Sequence, residues 1–144
     1  MVSAATQFRK SGFTDQEAAQ LSLTAAMFQN VADTAVATEE AAASIVSQIR
    51  AYGESAEFAT HVIDAYNQVA NNFSVGTNDI SKAMEIASAG MATYGNSFEQ
   101  TIGLVTAGTE IMVGRSSQVA RGLNKIGLGT HICGKILRAI NTKV

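Results

Sequence analysis

Proline and tryptophan are absent from this chain of 144 residues, and cysteine occurs once. A chain without proline has nothing to break a helix interior. The abundance of Ala, which costs least in a helix, adds to the same bias. A single cysteine, Cys133, excludes an internal disulfide and argues against a zinc site. Aromatic residues make up only 6% of the chain. The core must therefore be built from Ala, Ile, Leu, Val and Met, with helices packed close together. Charged residues are also scarce, at 15% against the roughly 25% usual in soluble domains. Ser, Thr, Asn and Gln carry the polar surface instead. No window approaches the roughly 18 apolar residues of a membrane span. The polar opening Met1–Lys10 has no apolar run of the signal-peptide kind.

Carboxylates are missing from the end of the chain. All twelve precede or include Glu110, while Arg115, Arg121, Lys125, Lys135, Arg138 and Lys143 follow it. The net charge of −2 thus divides into −8 for the first 114 residues and +6 for the last 30. A basic end of this kind either meets phosphate, an acidic partner or anionic lipid, or folds back on the acidic body.

The pattern that is present is helical throughout. Thr14 and Glu17 form a capping box, Phe13 can staple onto Ala18, and Ala18, Leu21, Ala25, Phe28 and Ala32 recur at helical spacing. A break over 33–37 leads to a second start at Thr38, followed by Glu39 and Glu40 at the positive end of the helix dipole. Ala42, Ile45, Ile49 and Tyr52 form its face, and Gly53 stops it. A third helix is expected over 55–73, with Phe58, Val62, Ala65, Tyr66, Val69 and Phe73 inward.

Gly76 reads as a left-handed turn residue and Thr77 as the cap of a fourth helix. Ile80, Met84, Ala87, Met91 and Tyr94 follow at spacings close to a heptad seam. Gly95 ends that helix. Asn96 begins a fifth, with Glu99 at the capping-box position and Phe98, Ile102, Val105 and Met112 along one face. Gly114 closes it, and Ser116 or Ser117 opens a sixth bearing Val119, Leu123 and Ile126. The Gly127-Leu128-Gly129 stretch reads as a flexible joint before a short basic helix carrying Ile132, Ile136 and Ile140. The expected fold is all-α: a bundle of six to seven short antiparallel helices joined by Gly, Asn and Thr turns, without a sheet.

Reactive groupings are weak. His61 and Asp64 are three apart and can touch on one helix, as can Glu54 and Glu57, but such pairs are commonest on a solvated face. Cys133 near His131 and Lys135 reads chiefly as a small apolar contact. The run from Gly108 to Ser117 lacks the Gly-Lys-Ser/Thr ending of a phosphate loop. The chain therefore reads as non-enzymatic, with no cofactor, metal or small-molecule substrate. Self-association is expected through Ile80, Met84, Ala87, Met91, Tyr94, Phe98 and Ile102. Nonspecific contact with DNA, or with a membrane surface, is expected through the six basic residues after Glu110. A helical interaction or membrane-active module using that basic end is the alternative reading.

Several ordered segments carry a resemblance. They are Ile63-Asp64-Ala65-Tyr66, Val69-Ala70-Asn71-Asn72, Ile80-Ser81-Lys82-Ala83, Tyr94-Gly95-Asn96-Ser97-Phe98-Glu99, Gly114-Arg115-Ser116-Ser117 and Val119-Ala120-Arg121-Gly122-Leu123-Asn124-Lys125-Ile126. Together with Phe8–Phe13 and Ala18–Leu21, their order resembles the core of phage tail tape measure proteins, over roughly 8–126. The resemblance implies a structural role: setting tail length during assembly and leaving the tube as DNA is ejected. It implies the virion tail as location, after assembly in the host bacterial cytoplasm. The implied partners are tail-tube and tail-tip proteins, tail assembly chaperones and other copies of the chain.

Residues 1–126 would then be a tape-measure-like core domain and 127–144 a basic amphipathic end. Whole members are much longer. Even a single unbroken helix of 144 residues would span only about 216 Å at about 1.5 Å per residue. The expectation is accordingly a fragment or truncated form.

Overall fold

The computed structural model describes residues 3–141, with side chains to residue 130. The described residues form seven helices and no strand, an all-α fold. They are α1 (Ala4–Lys10), α2 (Asp15–Val31), α3 (Thr38–Tyr52), α4 (Phe58–Asn72), α5 (Thr77–Thr93), α6 (Phe98–Ile111) and α7 (Ser116–Asn141). Helices α1–α4 pack on one another, α5–α7 form a second cluster, and α5 joins the two by lying against α3, α4, α6 and α7.

Small side chains make that central position possible. On α5, Ala83, Ala87, Ser81 and Ser88 are buried; on α3, Ala41, Ala42 and Ser44 are buried. Backbones that meet over such residues approach closely, and the polar atoms that come with them must pair. They do. Ser81 donates to Ser44 (Oγ–Oγ 2.8 Å), which also meets the Tyr66 hydroxyl of α4 at 3.4 Å. Two turns further along α5, Ser88 donates to Gln48 Oε1 at 2.6 Å, and Gln48 Nε2 in turn donates to Ser47 Oγ at 3.0 Å. Ser44, Gln48, Ser81 and Ser88 are all almost completely buried, so each pairing fixes the register of α5 on α3. Around this row lie Leu21, Phe28, Ile45, Val62, Ile80, Met84 and Val105.

The ends of the helices follow the sequence in part. The Thr14/Glu17 box is formed: the Thr14 N–H donates to Glu17 at 2.8 Å, and the Glu17 N–H donates to Thr14 Oγ1 at 3.3 Å. Gly53 and Gly95 have the positive φ that their turns require. Phe13 packs edge-on against Phe8, with ring centroids 6.3 Å apart.

Other boundaries differ. The polar opening contains α1, capped by Ser3 and anchored by the buried Phe8; a helix this short has too few turns to show a period. Helix α4 starts at Phe58 because 55–57 form a tight turn, in which the Phe58 N–H donates to the Ser55 carbonyl at 3.1 Å. Glu54 and Glu57 therefore precede the helix rather than share its face. At α3, Ala37 is the N-cap and offers no side-chain bond, and Thr38 instead accepts from Gln29 Nε2 at 3.4 Å. The capping box of α6 sits one residue later than expected, on Ser97 and Gln100 (3.2 and 2.9 Å). Asn96 closes α5 by donating to the Met91 carbonyl at 3.2 Å.

Gly76 is not left-handed: its φ is −72°. Its lack of a side chain serves space instead. A Cβ there would fall 2.3 Å from Asp33 Oδ2. The carboxylate of Asp33 thereby reaches α5 and accepts from the Asn78 N–H at 3.1 Å, while Thr77, the expected cap, is buried. A residue 45 positions away thus caps α5.

The joint expected at Gly127–Gly129 is also not observed. Helix α7 runs through it, because Gly127 is the surface on which the Tyr94 ring lies; a Cβ there would come within 2.4 Å of Tyr94 Cδ2. Asn124, one turn earlier, donates to the Ile86 carbonyl at 2.8 Å. Ile86 of α5 and Tyr94 at its C-cap thus meet Asn124 and Gly127 of α7 in the same order along the chain. Three residues assigned to inward faces, Phe73, Met112 and Ile126, are exposed.

The Asp33 cap yields a stability test. Gly76→Ala and Asp33→Ala should each lower the unfolding free energy by about 1 kcal/mol, the usual value of a helix cap. The double variant should lose little more than either single one, because both remove the same bond. Urea titration of the four proteins measures this. Additive losses would show that Gly76 acts independently of Asp33.

Candidate functional site

Two concave surfaces and one charged edge are candidates for function. The first is a groove between α4 and the start of α6, of about 430 Å³. Its lining is Ala65 and Val69 on α4, Phe73 just past the end of that helix, and the buried Phe98 and Ile102 on α6, with Gln68 and Asn72 along the rim. An aromatic cluster closes one end. Phe98 meets Phe58 edge-on at 5.2 Å and Tyr52 edge-on at 5.7 Å, and the His61 ring lies 5.6 Å away. Burial raises the pKa of the Tyr52 hydroxyl, and the neighbouring Thr101 and Ser88 hydroxyls offset this in part.

His61 does not use Asp64. Its Nε2 pairs across the groove with Glu99 Oε1 at 3.0 Å, tying α4 to the first turn of α6. The backbone N–H of Glu99 itself, then the Ser97 hydroxyl and His61, hold the Glu99 carboxyl below its ordinary range. The capping position expected for Glu99 went to Gln100, which left Glu99 free to turn toward His61. No spacing rule in a single sequence could have paired residues 38 apart.

The second surface is a cleft of about 340 Å³ where Glu39 and Glu40 of α3 face Lys82 and Glu85 of α5. The surrounding protein raises the pKa of Glu85, Glu40 raises it further, and Lys82 partly offsets both. Neither surface gathers a nucleophile, a base and an oxyanion donor. Among the described residues no cluster of His, Cys, Asp and Glu could hold a metal ion.

The seam residues lie inside the bundle. Ile80, Met84, Ala87 and Met91 are buried against their own chain, Tyr94 packs on Gly127, and Phe98 and Ile102 form the groove floor. Of the basic residues, Arg115, Arg121 and Lys125 are exposed on α7 or the turn before it. The ion pairs among the described residues are Arg9–Asp15, at 2.7 Å, and His61–Glu99. None of those three cations is therefore held by a carboxylate of the body. Lys135 and Arg138 lie on the last turns of α7, where side chains fall outside the described part. Cys133 and His131 do so too, and Lys143 is beyond the described residues. No described helix is long and apolar enough to cross a membrane.

The family model described as phage-related minor tail protein matches residues 1–130, and the chain belongs to that family. It is thus a structural component of a phage tail. No solved structure matches it.

The two carboxylates should respond to acid in opposite ways. Glu99 has a lowered pKa, so its contribution is present above the unfolded value and is lost as pH falls through the folded one. The wild type should exceed Glu99→Gln in stability near neutral pH, by at most about 1 kcal/mol for so exposed a pair. That gap should close in acid. Glu85 has a raised pKa, so its ionised form is disfavoured once pH exceeds the unfolded value. Glu85→Gln should therefore melt slightly above wild type at neutral pH and level with it in acid. Melting curves from neutral pH to below pH 4 separate these outcomes; gaps of the reverse sign would refute the assignments.

Proposed function

We propose that this phage minor tail protein is a tape measure segment, setting tail length during assembly and leaving the tube with the DNA. What supports the reading is the position of the resembling segments in the fold. Tyr94-Gly95-Asn96-Ser97-Phe98-Glu99 is the turn between α5 and α6, and Gly114-Arg115-Ser116-Ser117 is the turn into α7. Both lie inside the matched region 1–130. The order of the segments is therefore the order of the turns that build the C-terminal cluster.

The role is structural and non-enzymatic. Its partners are tail-tube and tail-tip proteins, tail assembly chaperones and further copies of the same chain, met first in the host cytoplasm and then in the virion tail. Arg115, Arg121 and Lys125, unpaired within the body, suit passing contact with DNA phosphate without reading its sequence. The basic residues beyond 127 extend the same edge in sequence.

Tail length tests the reading. In a phage carrying this gene, an in-frame duplication of residues 4–126 should lengthen the tail. The upper limit is about 185 Å, the length of that stretch as continuous helix at about 1.5 Å per residue. Electron microscopy of purified virions measures it. Tails of unchanged length would dispose of the length-setting role and leave an ordinary minor tail protein.

A further inference from the structure

We draw no further inference here: the strongest candidate, the apolar groove between α4 and the start of α6, carries nothing, because nothing in the structure shows what covers it.

Discussion

The close approach of α5 to α3 is the constraint on which the rest of the bundle depends. Ser81 and Ser88 of α5 are buried against Ser44 and Gln48 of α3, and their polar atoms pair across the interface. Bonds of this kind add little net energy, about 1 kcal/mol each, but leaving one unmade costs up to about 3. Slippage of α5 would strand Ser44, Gln48, Ser81 and Ser88 together. The register is therefore selected mainly by the cost of every alternative. With α5 fixed, α6 and α7 are fixed through it, since α7 meets α5 at Asn124 and Gly127.

This economy of the interior bears on the outside. A core of Ala and Ser buries modest apolar area per helix, and several larger apolar residues remain at the surface. Leu23, Met27, Phe73 and Ile111 are exposed in a chain with few charges to separate them. For a component of an assembled tail, such surfaces are the natural places for neighbours. The buried seam of Ile80, Met84, Ala87 and Met91 is already committed to its own chain. What the bundle leaves outside is the surface open to neighbouring tail proteins.

How far the sequence revealed this depended on the range of each interaction. The all-α class and the faces of α2, α3 and α5 follow from periodicity, which is local. The Thr14/Glu17 box is likewise a four-residue event. Features that failed to show are those set by distant residues. Gly76 looks like a turn glycine until Asp33 is placed beside it, and Gly127 looks like a hinge until Tyr94 covers it. His61 has Asp64 one turn away but is drawn to Glu99, on another helix. The groove was legible only as separate halves: Phe98 and Ile102 were singled out, but their relation to Val69 and Phe73 belongs to tertiary packing. The α6 box missed by one residue because Ser97–Gln100 and Asn96–Glu99 are equally plausible pairs by type.

The Asp33 cap has a bearing on how the chain is made. Chains emerge from the ribosome N-terminus first, and their leading portions fold first. Helices α1–α4 contact one another extensively, so much of their packing can form before α5 is complete. Asp33 is then already in place as an acceptor when Asn78 emerges. A residue made early in synthesis thus sets where a helix made later begins, because the start of α5 is defined by the packed position of Asp33.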